Sequence, residues 1–416
     1  MGERAEGRRL GQGTDIDTRG GPTPPVLRWA VAGLGTAGCM MLPALVGHPH
    51  ARITAAADTD AEALERFGQD FQAETYASVE ALCKSSAVDA IYIATPTQYH
   101  VEHAVTALEC GKHVVIEKPM ALTLADADLM IEAAERHGVQ LVVGHSHSFE
   151  PPIRKIREIV RSGALGKLHM LHNWYLSDWL YRPRNAEELD TRLGGGVTFR
   201  QGSHQFDILR FIGGGRVRSV RAMTGSRDAR RPTEGSHVVY LEFEDGTPAS
   251  AVYGGADYFH TTELTFGIGE QGHPVDMAAY GRARQTLRSV ESREAELGLK
   301  RAVRYGGSRA PRARGPAPHP AFFGLTLVSC EKGDIRQSAR GVYVYGEDDK
   351  HELMLSSEET GRDAVVRELY DAAVKRHPPA HGGRWGKANL EVCLAVLASA
   401  RERREVYLSQ QTPTLD

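Results

Sequence analysis

Long hydrophobic runs are missing from this chain. No apolar stretch approaches the roughly 20 residues that cross a bilayer, so a membrane protein is not expected. Cysteine is scarce: Cys39, Cys83, Cys110, Cys330 and Cys393 are five scattered thiols in 416 residues. Their number is odd and no two have C-x-x-C spacing, which argues against a disulfide framework or zinc ribbon and for a reducing cytoplasm. Charge of one sign is missing too. A net charge of -3 is too small to mark nucleic acid or a membrane surface as partner. The first 25 residues lack the apolar core of a secretory signal. Polar and rich in Gly, Pro and Arg, they read as a disordered leader.

What remains is ordinary for a soluble globular protein: 41% hydrophobic and 25% charged residues. The length exceeds one core, so two domains are expected: residues 26–146, and residues 147–416.

Organised sequence begins at "VLRWAVAGLGTAGCMMLPAL". An apolar strand from Leu27 to Ala32 runs into G-x-G-x-x-G at Gly33, Gly35 and Gly38, and a helix follows. Gly33 permits a tight turn, Gly35 lets the backbone approach a pyrophosphate, and Gly38 lets helix and strand close up. Leu34, Thr36 and Ala37 complete the loop. Its helix N-terminus would aim free N–H groups at phosphate oxygens. A second strand, "RITAAAD", ends at Asp58, about 20 residues on, where an acid meets ribose hydroxyls. Such a carboxylate repels a 2′-phosphate, so NAD is favoured over NADP. Asp58 as a helix cap is the competing reading.

The alternation continues. "VDAIYIATP", "KHVVIEKP" and "VQLVVGHSHSF" read as strands. "QYHVEHAVTALECG" and "LADADLMIEAAERHG" read as helices stopped by Gly111 and Gly138. That order means a doubly wound parallel sheet. Ligands of such sheets sit beyond the carboxyl ends of the strands, which gathers Thr95, Pro96, Glu117, Lys118 and His145 at one crevice.

Together, G-x-G-x-x-G, the acid, "ATP" with a helix containing His100, and "EKP" at Glu117-Lys118-Pro119 resemble the Gfo/Idh/MocA oxidoreductases. The resemblance implies an N-terminal Rossmann domain and a C-terminal α/β domain with an open, mostly antiparallel sheet. It implies that Lys118 serves in catalysis, that Glu117 and Pro119 position the nicotinamide, and that the exposed sheet face joins copies into a homodimer or homotetramer. The residue chemistry of Lys118 agrees. A lysine buried beside a nicotinamide cation loses its ammonium form more readily and can accept a proton near neutral pH.

The family's second signature, GGG-x-x-x-D-x-G-x-H-x-x-D, aligns with "GGGVTFRQGSHQFD". Gly194 to Gly196, Gly202, His204 and Asp207 match, but Arg200 replaces the first aspartate. On a helix, Arg200, His204 and Asp207 would share one face. Arginine stays protonated and cannot be a base. It can fork onto a carboxylate. The expectation is that His204 polarises or shuttles a proton at a substrate hydroxyl, Arg200 holds an anionic group, and Asp207 orients His204. A structural pair of Arg200 with Asp207 or a glutamate is the alternative. Upstream, Arg182, Arg184 and Arg192 with Trp174, Tyr175, Trp179 and Tyr181 suit a flat charged acid, with a solvated loop and two aromatics tucked into the core as the competing reading.

Several second-half stretches, among them "RQGSHQFDILRFIGGG", resemble the phthalate dihydrodiol dehydrogenase branch of the family. That implies oxidation of 4,5-dihydro-4,5-dihydroxyphthalate, a small acidic substrate, to 4,5-dihydroxyphthalate. A sugar or inositol dehydrogenase, and a non-catalytic dinucleotide-binding regulator, are the rival functions. Strands are expected at residues 219–226, 237–255 with a turn at Asp245-Gly246, and 261–269. A mobile loop is expected at 307–322, and an amphipathic final helix. His145 and His147 alternate as zinc ligands can, but no third ligand accompanies them, so no metal is expected.

Overall fold

The computed structural model describes residues 24–310 and 315–415. The expected leader therefore lies, but for its last two residues, outside the described residues, as do residues 311–314 of the expected loop.

Six short strands, apolar except for the edge strand β3, form the first sheet: β1 (Leu27–Ala32), β2 (Ala51–Ala57), β3 (Glu74–Tyr76), β4 (Ala90–Ile93), β5 (His113–Ile116) and β6 (Leu141–Val143). All pair in parallel, in the order β3-β2-β1-β4-β5-β6. Helices cover both faces, which is why β4 and β6 are buried throughout. The strand order changes direction between β1 and β4, opening a crevice at their carboxyl ends. The helix Leu124–His137 starts on Thr123, whose side chain accepts from Asp126 N–H, and stops at Gly138 with φ +65°.

The second sheet has nine strands: β7 (Leu168–Leu176), β8 (Val217–Gly225), β9 (Ser236–Phe243), β10 (Pro248–Gly254), β11 (Leu325–Cys330), β12 (Gly333–Ser338), β13 (Gly341–Tyr345), β14 (Lys350–Met354) and β15 (Val406–Tyr407). Their order is β14-β13-β12-β11-β7-β10-β9-β8-β15, and only β7 and β10 run parallel. The β9–β10 turn uses Gly246 at φ +86°. Along β9, Val239, Leu241 and Phe243 are buried while Val238 and Tyr240 face out, the period of a half-covered sheet. The final helix, Gly383–Glu402, packs on β8 and also on the helix Leu124–His137. One apolar core thus runs between the two sheets.

Three expected elements differ. Residues 261–269 form a short 3-10 turn, Thr261–Glu263, and further turns rather than a strand. The Thr261 hydroxyl caps the Leu176 N–H at 2.7 Å, and Phe266 sits at φ +59°, which breaks extension. The strand β6 ends at Val143. Turns then carry His145 and His147 into the helix Pro151–Ser162, whose prolines suit its first turn. At the far end of the expected mobile loop, Ala321 and Phe322 are buried, and Gln337 donates to Ala321 O at 2.6 Å. Among the described residues, no helix is long and apolar enough to cross a membrane.

Candidate active site

At the crevice, the glycines behave as their spacing demands. Gly33 has φ +96°. A Cβ on Gly38 would stand 2.1 Å from Gly33 O, so only hydrogen fits there. A Cβ on Gly35 would meet nothing within 4 Å and would project into the cleft. The helix Thr36–Gly47 has no side-chain cap, so its first N–H groups are left for a ligand. Asp58 is not a helix cap; Asp60 is, accepting from Ala63 N–H. One Asp58 oxygen accepts from Leu34 N–H at 2.6 Å and the other from Asp60 N–H at 2.9 Å. The carboxylate is fixed at the cleft wall, with Arg66 turned away onto Asp70. An open backbone approach, free helix amides and a fixed acid fit a dinucleotide's pyrophosphate and ribose.

The cleft holds about 1110 Å³ and runs from the glycine loop to His204. Gly33, Gly35, Thr36, Ala37, Asp58, Thr95, Pro96, Glu117 and Lys118 line it. Four expected cofactor contacts do not, among them Pro119, which is buried. Leu34 is fully buried and only its peptide faces the loop, while Gly38 is a packing contact. His100 lies beneath the floor, its ring nitrogens 3.0 Å from Pro119 O and 2.9 Å from Thr95 O. Burial pushes its pKa down to about 4. A neutral ring donates to one carbonyl at a time, so His100 braces the two loops rather than a ligand.

Lys118 precedes a cis peptide bond to Pro119. Its Nζ donates to Arg200 O at 2.9 Å. Burial pushes the amine down to about 8, Glu117 opposing and Arg200 assisting. Glu117 accepts from the Tyr92 hydroxyl and from Lys118 N–H. Across the cleft, the His204 ring is buried against His147, centroids 4.5 Å apart, and Phe323 at 4.9 Å. Burial and then the nearby Lys118 hold it well below the ordinary histidine range, so the ring is neutral at pH 7.

The residues around Arg200 are not in simple helical phase. Thr198–Gly202 is a π-helical turn ahead of the helix Ser203–Gly213. The wider turn adds a residue to the repeat. Arg200 and His204 still line the cleft, but Asp207 turns to the far side, where it accepts from Trp385 Nε1 at 2.6 Å and lies 4.0 Å from His381. Asp207 therefore does not orient His204, whose Nδ1 has no partner.

Arg200 makes no ion pair among the described residues, and its Nε is buried without a partner. Arg182 lines the cleft mouth, likewise without an ion pair. Arg184 is committed elsewhere: it pairs with Glu188 at 3.2 Å, donates to Trp179 O at 2.6 Å and stacks 3.5 Å over the Trp179 ring. Arg192 pairs with Asp190 on the surface. Trp174 is on the solvent face of β7, bonded to Ser250, and Tyr175 points inward but behind the cleft wall, donating to Glu270 at 2.5 Å. Strand alternation separates the two, and neither lines the cleft. Sequence reasoning missed Glu270, which directly follows the misread strand 261–269. It also missed Arg362, which opens the helix Gly361–Val374 and lines the cleft beside Met40; no local pattern marks it. Among the described residues, no three His, Cys, Asp or Glu side chains gather in a metal-holding group.

A Rossmann cradle joined to a lysine and a neutral imidazole defines a nicotinamide-dependent oxidoreductase cleft. Residues 27–145 match the model of the oxidoreductase family with an NAD-binding Rossmann fold, and residues 153–272 match the GFO/IDH/MocA C-terminal domain. The chain belongs to the Gfo/Idh/MocA family and is an NAD-binding dehydrogenase of it. It is 38% identical over 377 residues to the 1-carboxy-3-chloro-3,4-dihydroxycyclohexa-1,5-diene dehydrogenase of Comamonas testosteroni, covering 90% of this chain and 95% of the relative. It is 29% identical to the myo-inositol 2-dehydrogenase of Thermotoga maritima over 53% of this chain and 66% of that one. A solved putative dehydrogenase from Bordetella bronchiseptica superposes with a TM-score of 0.86 at 41% identity, covering 92% of this chain and all of the other.

Proposed function

We propose that this protein oxidises an acidic cyclic cis-dihydrodiol with NAD, in preference to NADP, and that 4,5-dihydro-4,5-dihydroxyphthalate is the substrate. The observation that carries the reading is Arg200: a guanidinium in the cleft, its backbone bonded to Lys118, with no ion pair and an orphaned Nε. A half-buried guanidinium with no ion pair among the described residues and a buried, unpartnered Nε suits an anionic ligand. Arg182 offers a second site for a second carboxylate. The Comamonas testosteroni relative, whose name describes a carboxylated cyclic dihydrodiol, supports the same class.

NAD, when bound, supplies the hydride acceptor. Lys118 Nζ accepts the carbinol proton, His204 hydrogen-bonds the diol, and Arg200 with Arg182 fixes the carboxylates so that one C–H faces the coenzyme site. The resulting hydroxy-dienone tautomerises to the catechol 4,5-dihydroxyphthalate, which makes the step downhill. Exposed Met170, Trp174, Val238 and Tyr240 on the second sheet support a homo-oligomer contact there. Five unpaired cysteines support a cytoplasmic location.

Arg200→Leu tests the reading. Losing a forked charge-assisted contact of about 3 kcal/mol raises KM for the acidic diol by roughly a hundredfold. Oxidation of a neutral cis-diol is unaffected. Turnover of inositol or sugars by the wild-type protein, with acidic diols inert, would move the assignment to a polyol dehydrogenase.

A further inference from the structure

The second half of the chain sends a strap back over the coenzyme end of the cleft. It begins with the helix Arg293–Arg301 and runs on to Arg309, and Leu299, Lys300, Val303, Arg304 and Arg309 line the same cleft as Asp58. The two ends are fastened differently. At the substrate end, buried Glu296 accepts from Arg184 N–H at 2.7 Å and from Arg231 at 2.8 Å, and Lys300 meets Glu188 at 2.8 Å. At the coenzyme end, Tyr305 N–H donates to Leu34 O, inside the glycine loop, at 3.0 Å. The Tyr305 hydroxyl donates to Asp70 at 2.8 Å, and its ring packs 5.2 Å from Phe67. Arg304 lies 3.8 Å from Asp60, both about one-third exposed.

We propose that the segment Leu299–Arg309 is a coenzyme clasp: it closes the adenosine end of the dinucleotide site, Arg304 and Arg309 face the coenzyme, and its release at Tyr305 sets the rate of coenzyme departure. Three observations point there. Among the described residues, the strap's main-chain bond to the first sheet's loops is to Leu34, between Gly33 and Gly35 and next to the pyrophosphate approach. Arg309 lines the cleft with no ion pair among the described residues. Finally, the fastenings are graded. Buried ion pairs hold the substrate end, while the coenzyme end has no buried ion pair and is held by one main-chain bond, the half-buried Tyr305 ring and the partly exposed Arg304–Asp60 pair, a weaker fastening. The clasp therefore swings from its Lys300 end. Leu34 joins its two tasks, since its N–H is fixed by Asp58 and its carbonyl by Tyr305.

The inference rests on the coenzyme site alone, so its test omits any diol and its failure is separable from that of the substrate reading. Hydrogen exchange at Val303–Gly306 is measured on the full chain alone, with ADP-ribose, and with nicotinamide mononucleotide. ADP-ribose slows exchange there by roughly tenfold and the mononucleotide leaves it unchanged. Stopped-flow fluorescence then follows NAD release. Tyr305→Ala speeds it roughly tenfold, equivalent to losing one hydrogen bond and one ring contact, and leaves mononucleotide affinity unaltered. Arg304→Ala weakens ADP-ribose and not the mononucleotide. Exchange indifferent to ADP-ribose, or NAD release unchanged in Tyr305→Ala, would overturn the proposal.

Discussion

Replacing Lys118 with methionine separates two consequences of the same burial. The amine, ordinarily near 10.5, is pushed down to about 8. Only the neutral form accepts a proton, and at pH 7 it makes up about one tenth of the protein. Wild-type kcat/KM should therefore climb roughly tenfold per pH unit below 8 and level off above it. Lys118→Met removes the acceptor and costs about 10²- to 10⁴-fold in kcat. Stability moves the other way. A fall from 10.5 to about 8 corresponds to about 3 kcal/mol against the buried ammonium, reduced to about 1–2 kcal/mol because the side chain keeps some cleft water. The lost bond to Arg200 O returns about 1 kcal/mol. The variant should be no less stable than wild type at pH 7. Between pH 8 and about 10.5 the unfolded chain binds more protons than the folded one, so wild type gains stability as pH rises and the difference moves in its favour. Initial rates at the reduced-nicotinamide band and thermal melts, both from pH 6 to 10, test this. A flat wild-type rate profile, or a variant turning over within about tenfold of wild type, would refute lysine as the proton acceptor.

Gly38→Ala should cost at least about 2 kcal/mol of stability and weaken NAD together, since its Cβ would collide with Gly33 O; unaltered calorimetric NAD binding would contradict that. Trp174→Glu, on the solvent face, should leave KM untouched and reduce assembly in light scattering. A rise in KM would return Trp174 to the substrate site.

The first sheet was legible because its signals are local. The Gly33, Gly35 and Gly38 spacing, the apolar runs and the helix-stopping Gly138 each act within a few residues. Arg200 stood out for a related reason: a cation at the position where the resembled signature has an acid. What escaped was settled over longer distances. Arg184 looked as available as Arg182 until Glu188 and the Trp179 ring claimed it. Asp207 was misjudged because its partner, the Trp385 ring N–H, comes from a helix far along the chain, which spacing alone does not reveal. Arg362 and Arg304 reach the cleft from segments more than 240 residues beyond the glycine loop, brought there by packing of the second half on the first.

The bond from Lys118 runs to the carbonyl oxygen of residue 200 rather than to its side chain. Every amino acid carries that oxygen. The amine's aim is consequently indifferent to which side chain occupies the position, and that side chain is free to choose the guest. On the proposed reading, a replacement at residue 200 would alter the guest while leaving the aim of the amine in place.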